Sequence, residues 1–391
     1  MSCAEPIKLL VVCGSLRVGG AEMQAARMLP RLDPALFDLE VIYYNHKVGP
    51  PRFELERQGV PVRFLGRPTW NRNAYLREAV NFMRSKRFDL VHAWSASANL
   101  YGRLPALVVG VPVVLGGLLG KDGLNGLWPF VYSGMNLACA GWIVNSEALK
   151  QYALDKMYLN RFSPVAVVEN GLDLELDRTV LARQVPFYLA LKRDRPVIGL
   201  VARLHPVKNH TLFLQAAARL RDEGVAADYW IIGDGPARED IARKITALQL
   251  DDCVRMLGQR DDVEAAYEVM DVVVLTSDSE GCPNALLEAM RASRPIISTQ
   301  CTSLGQVIAE GVNGFVVPRG DVGALAAKLK LLLSDAALRR KFGGASRVMV
   351  ERTFSMPVAV RRLEQTYLDF LRQGMSRHPT LRRKLAALAV V

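Results

Sequence analysis

The chain alternates short apolar runs with stretches whose apolar positions recur every three or four residues. The runs at 8–13 (KLLVVC), 39–44, 90–93, 111–115, 142–145 and 166–169 are too short for helices and predict strands. Most are nearly continuous in apolar character, as expected of parallel strands buried on both faces. The segments between them, including 21–32 and 74–86, carry helical spacing and supply the crossovers. A charged stretch ending in proline, 192–196, interrupts the pattern, which then restarts. Strands are predicted at 197–201, 229–232, 254–257, 272–276, 296–298 and 314–317, with helices at 210–223 and 237–248. The reading is α/β, with two doubly wound domains at 1–190 and 191–355 and a C-terminal segment, 356–391, whose helix covers 357–372. Ligands in open parallel sheets bind beyond the carboxyl ends of the strands, so the loops there are searched for chemistry.

The length of 391 residues suits two such domains. Half the residues are hydrophobic and 23% are charged, which marks a globular chain. Fifty Lys and Arg against 39 Asp and Glu leave a formal charge of +11, favouring phosphate esters or anionic lipid as partners. No basic stripe interleaved with aromatics points to nucleic acid. The six cysteines form no CxxC pair and have no histidine at zinc-finger spacing. They suit a reducing cytosol better than a disulfide framework. The apolar run near the N-terminus lacks a basic leader region and reads as a strand, not a signal peptide. Two uncharged stretches, 104–120 and 127–144, contain Gly and Pro and read as core elements, not membrane spans. The tail at 376–391 (SRHPTLRRKLAALAVV) has two readings, a basic amphipathic helix on an anionic membrane or a solvated end.

Three segments carry candidate chemistry. Residues 14–20 (GSLRVGG) lack the Lys of a phosphate-binding P-loop and the spacing of a dinucleotide fingerprint. What remains, with Gly19 and Gly20, is a flexible turn before a helix, where backbone N–H groups approach an anion. Residues 201–209 (VARLHPVKN) place Arg203 and Lys208 just past a strand end, and both suit a diphosphate. Residues 277–290 (SDSEGCPNALLEAM) run from a strand end through Glu280 and Gly281 into a helix predicted to begin at Pro283. The N–H groups of that helix start, around Cys282, Pro283, Asn284 and Ala285, suit phosphate oxygens. Glu280 suits sugar hydroxyls, and Glu288, early in the helix, suits the two hydroxyls of a ribose.

The RLxxxKN, GDGP (233–236) and EGCPNALLEAM segments resemble the family-4 retaining glycosyltransferases of the GT-B fold. The segments GGAE (19–22), NSE (145–147), NGLD (170–173) and GVNGFVVP (311–318) with Asp321 are similar to further motifs of that family in the same order. The resemblance implies two Rossmann-like domains facing across a cleft, an acceptor-binding first domain, a nucleotide-sugar-binding second domain, and a C-terminal helix crossing back to the first. It implies that Arg203 and Lys208 clamp the donor diphosphate, Glu280 contacts the sugar and Glu288 the ribose. Backbone around Leu257 would meet the base, while Gly19 and Gly20 would leave room for diphosphate and acceptor. No cofactor and no metal are implied. The donor is a UDP-, GDP- or ADP-sugar, and the acceptor a saccharide, lipid-linked or of the cell envelope. A cytoplasmic enzyme, peripheral at the inner face of the membrane, is the matching location. Two departures stand out: Gly116-Gly117-Leu118 replace a histidine common after the strand read at 111–115, and Gln306 replaces a common glutamate. The alternatives are a nucleotide-sugar epimerase and a sugar-nucleotide-binding protein without turnover; intact Arg203, Lys208, Glu280 and Glu288 argue against the latter.

Overall fold

The computed structural model describes residues 5–17, 19–66, 72–119, 134–156, 159, 163–280, 282–301, 307–375 and 378–388. It divides into two compact units, residues 1–171 with 356–391 and residues 172–355.

In the first unit the strands are β1 (Ile7–Cys13), β2 (Phe37–Tyr43), β3 (Val62–Phe64), β4 (Leu90–Ala93), β5 (Val113–Leu118), β6 (Gly141–Val144) and β7 (Val165–Val167). They form one parallel sheet in the order β3-β2-β1-β4-β5-β6-β7. The order reverses at β1, which opens a crevice at the carboxyl ends of β1 and β4. In the second unit the strands are β8 (Val197–Val201), β9 (Asp228–Ile232), β10 (Val254–Gly258), β11 (Val272–Leu275), β12 (Ile296–Thr299) and β13 (Gly314–Val317). Their order is β10-β9-β8-β11-β12-β13, also parallel, with the reversal at β8 and β11.

The helices are α1 (Gly20–Met28), α2 (Pro50–Arg57), α3 (Arg72–Lys86), α4 (Ala98–Val109), α5 (Glu147–Asp155), α6 (Arg178–Leu191), α7 (His210–Asp222), α8 (Arg238–Ala247), α9 (Val263–Val269), α10 (Asn284–Arg291), α11 (Val322–Ser334), α12 (Ala336–Thr353), α13 (Met356–Gly374) and α14 (Pro379–Ala387). Several begin where a side chain replaces the missing ladder partner. Ser146 accepts from the Leu149 N–H, Asp321 from Ala324 and Asp335 from Leu338. The NSE segment is thus the start of α5.

Four differences from the sequence reading have physical causes. The boundary drawn at 190 falls between Gly171 and Leu172, so α6 belongs to the second unit. Its Tyr188 is fully buried there and donates to Asp262 at 2.7 Å. The charges at 192–196, which interrupt the apolar pattern, are paired within the second unit. Lys192 pairs with Asp271 at 2.8 Å, and Arg193 and Arg195 converge on the wholly buried Asp228 at 2.5 and 2.7 Å.

Second, β5 continues through Gly116 and Gly117, which pair with Trp142 and Ile143. A Cβ on Gly117 would stand 2.3 Å from the Ala93 carbonyl oxygen, so only glycine lets the strand pass. These glycines are strand interior, not a loop. Gln306 lies outside the described residues.

Third, α14 is neither a solvated tail nor a free membrane face. Leu381 and Leu385 are fully buried in the first unit's core, and Lys384 pairs with Asp89 at 2.9 Å and Glu5 at 3.4 Å. Fourth, β3 and several helices escape the periodicity because they are short or mixed in polarity.

The core of the first unit also holds Met356, Val360, Leu363, Tyr367, Phe370 and Leu371 of α13. The NGLD segment serves this packing. A Cβ on Gly171 would meet the Met356 sulfur at 2.8 Å and the Ala359 Cβ at 2.9 Å. Glu169 pairs with Arg362 of the same helix, and the Gly171 N–H donates to Gln24 at 3.0 Å. No helix among the described residues is long and apolar enough to cross a membrane.

Candidate active site

In the second unit, the loops after β8 and β11 meet at the sheet reversal. The chain leaves β8 through Ala202 and Arg203 and makes a single 3₁₀ turn, Pro206–Lys208, capped by His205, whose Nδ1 accepts the Val207 N–H at 3.3 Å. Asn209 follows in the left-handed region at φ 47°, ψ 52°, a conformation asparagine tolerates better than most residues. Its Oδ1 caps α7 by accepting from Leu212, and its Nδ2 donates to Asp278, both at 3.3 Å. The Asp278 N–H donates to the Val207 carbonyl and the Thr276 hydroxyl to the Lys208 carbonyl, both at 2.9 Å. The RLHPVKN segment is thus laced to the β11 loop before any ligand arrives.

Lys208 and Glu280 form the centre. Lys208 Nζ lies 2.5 Å from Glu280 Oε1, with the two side chains 22% and 12% exposed. The buried Ser277 hydroxyl donates to the same oxygen at 2.6 Å, and the Ser277 carbonyl accepts from Thr299 at the end of β12 at 2.7 Å. Both charges are felt nearby. Burial, reinforced by Lys208, holds the His210 imidazole down at about 4. Burial, with Glu280 adding to it, pushes the Cys301 thiol up to about 11.

The GDGP turn braces the loop from the other side. Leu204 N–H donates to the Asp234 carbonyl and Ala237 N–H to the Leu204 carbonyl, both at 3.0 Å. A Cβ on Gly233, at φ 142°, would stand 2.0 Å from the Ala202 carbonyl oxygen. Arg203 is exposed, and its guanidinium makes no hydrogen bond or ion pair among the described residues. It shares the strand end with Lys208 without joining the Lys208–Glu280 pair.

Helix α10 begins one residue later than expected, with Pro283 as the cap in extended conformation and no side-chain cap bond. The first ladder bond runs from the Leu286 N–H to the Pro283 carbonyl, so the N–H groups of Asn284 and Ala285 lie outside the ladder. One turn in, Glu288 Oε2 accepts from the buried Tyr267 hydroxyl of α9 at 3.1 Å. Cys282 is half-buried and in no disulfide among the described residues; Gly281 lies outside them. Leu257 stands apart on the edge strand β10, which shifts register between Met256 and Gly258.

In the first unit, Gly19 caps α1 and Gly20 opens it. The glycine turn lies at that sheet's own reversal, where Trp94 Nε1 donates to the Ala21 carbonyl at 2.8 Å. His92 is structural: it is buried, contacts the Tyr367 hydroxyl at 2.9 Å, and its imidazole is held down at about 3 by burial.

Asn209, Tyr267, Asp278, Ser277 and Thr299 are the supporting residues that the sequence reading missed. Asn209, in the RLxxxKN motif directly before a predicted helix, and Ser277, three residues before Glu280 at a strand end, had local signals. Tyr267 and Thr299 act through partners more than twenty residues away.

A family model described as Glycosyltransferase Family 4 matches residues 18–176, and one described as Glycosyl transferases group 1 matches residues 195–335. The chain is 25% identical over 304 residues to the UDP-Gal:alpha-D-GlcNAc-diphosphoundecaprenol alpha-1,3-galactosyltransferase of Escherichia coli, covering 74% of this chain and 77% of that protein. It is 27% identical over 307 residues to the capsular polysaccharide biosynthesis glycosyltransferase CapM of Staphylococcus aureus, covering 75% and 80%. The crystal structure of Anabaena HepE in complex with UDP and glucose superposes with a TM-score of 0.80 at 19% identity, covering 92% of this chain and 99% of that one. With the two matches falling one on each sheet, the chain belongs to glycosyltransferase family 4, the glycosyl transferases group 1, and has the GT-B fold.

Proposed function

We propose that this glycosyltransferase moves a sugar from a UDP-sugar to a hydroxyl of a lipid-linked or cell-envelope saccharide, with retention at the anomeric carbon. The observation that carries the reading is the Lys208–Glu280 pair, 2.5 Å apart at the sheet reversal and followed directly by the start of α10. Uridine and the saccharide acceptor are supported by the names of the relatives, a UDP-galactose-dependent enzyme and a capsule enzyme.

Lys208, Arg203 and the N–H groups of Asn284 and Ala285 at the start of α10, reached past Cys282 and Pro283, receive the diphosphate. They take up the charge that develops as the C1–O bond to it breaks, in place of a resident metal. Glu280, fixed by Ser277 and Lys208, accepts from sugar hydroxyls. Glu288 accepts from the ribose hydroxyls, and backbone at Leu257 meets the base. The acceptor hydroxyl attacks C1 on the face the diphosphate leaves, and its proton passes to a diphosphate oxygen. The protein positions the reactants and stabilises charge. Gly19 and Gly20 are assigned to the acceptor side. The enzyme works on the cytoplasmic face of the membrane.

Melting curves with UDP, GDP, ADP and their sugar conjugates test the donor. A ligand that binds only the folded state raises the transition by mass action. A shift with uridine nucleotides that is lost in Arg203→Ala and Glu288→Ala is expected; no shift with any nucleotide overturns the reading.

A further inference from the structure

We propose that Tyr267 is a positioning residue for the nucleotide: its hydroxyl fixes the Glu288 carboxylate in the orientation that receives the ribose hydroxyls. The inference rests on the assignment of Glu288 to the ribose. Tyr267 is the fully buried aromatic of the short helix α9, and its hydroxyl donates to Glu288 Oε2 at 3.1 Å. A phenol sealed in a core costs stability unless its hydroxyl is paired, and here the partner is an ionisable side chain of another helix. Tyr267 lies in the same buried core as Ala265, Ala266, Val269, Leu286, Leu287 and Met290 of α9 and α10. The donor therefore comes from a rigid body, not from a mobile surface chain. Burial, with Glu288 beside it, pushes the phenol well above its usual range. Facing a carboxylate oxygen at 3.1 Å, the Tyr267 hydroxyl is the donor of this pair.

A glutamate side chain has rotamer freedom to lose on binding. A fixed donor on one carboxylate oxygen removes part of that loss beforehand, as preorganisation requires. The Tyr267 hydroxyl thereby acts on the ribose through Glu288 and not on the base, diphosphate or sugar.

The test compares UDP with 2′,3′-dideoxy-UDP by calorimetric titration of the full chain, for the wild type, Tyr267→Phe and Glu288→Ala. Phe keeps the ring and removes only the hydroxyl. The wild type is expected to prefer UDP by at least about tenfold, a preference that Glu288→Ala abolishes. Tyr267→Phe is expected to weaken UDP by about tenfold and to leave the dideoxy compound unchanged. A donor KM that rises in Tyr267→Phe with kcat unchanged supports the same conclusion. Equal weakening of both ligands marks a merely structural tyrosine and overturns the proposal, as does an unchanged preference in Tyr267→Phe. A wild type without any preference overturns the ribose assignment itself, and the proposal with it.

Discussion

Replacing Lys208 by Met removes the charge at the centre of the site while keeping most of the stem, and it has two separable consequences. The first is structural. The ion pair is 2.5 Å long, with side chains 22% and 12% exposed, so it lies between a surface pair, worth up to about 1 kcal/mol, and a buried one, whose disruption costs about 3–5 kcal/mol. Ser277 still donates to Glu280 at 2.6 Å and limits the damage, which sets the expected loss near 2 kcal/mol. For a unit of this size that loss lowers the melting temperature by about 4–8 °C. Glu280→Gln alone strands the lysine and costs a similar amount. The double variant Lys208→Met/Glu280→Gln should recover at least about 1 kcal/mol relative to the sum of the single losses, because neither charge is left without its partner. The second consequence is catalytic. A lost donor to developing charge costs about 3–4 kcal/mol, a hundred- to thousandfold in kcat, and the double variant does not recover it. Scanning calorimetry reads the first effect, and initial rates with a UDP-sugar read the second. An unchanged transition in Lys208→Met refutes the ion pair's structural weight. A kcat within threefold of wild type refutes the leaving-group role.

Three further outcomes follow from the same geometry. Leu381→Ala should cost about 2–5 kcal/mol in the first unit and leave co-sedimentation with anionic vesicles unchanged, because this leucine lies in the core; lost vesicle binding at constant stability would contradict the packing. His92, held down at about 3, makes the first unit acid-sensitive: the unfolded chain binds the proton first, so stability is full above about 6.5 and falls by about 1.4 kcal/mol per pH unit as the pH drops towards 3. His92→Phe should flatten that limb, and parallel limbs in the two proteins would count against it. Gly233→Ala should disrupt the loop carrying Arg203, since a Cβ would meet the Ala202 carbonyl at 2.0 Å in a backbone of φ 142°; an active, normally melting variant would show that the turn is not needed there.

The alternation of apolar runs already carried the number of sheets, their parallel sense and the strand ends after which the candidate motifs lie. Buried parallel strands are written as unbroken apolar runs, and the ligand loops follow them directly. The RLHPVKN and EGCPNALLEAM segments were legible because each holds its candidate residues within one local stretch. What tertiary structure alone decided depends on contacts between residues far apart in the chain. The charged run at 192–196 is only a break in the apolar pattern until Asp228 and Asp271 are seen to receive its cations. The tail's leucines look like a membrane face until the first unit's core is seen to hold them. Gly116 and Gly117 look like a loop until Ala93 and Trp142 are seen to press against them. Tyr267 gives no local sign of reaching Glu288, because a hydrogen bond between two helices is specified by how the helices pack and not by either segment alone.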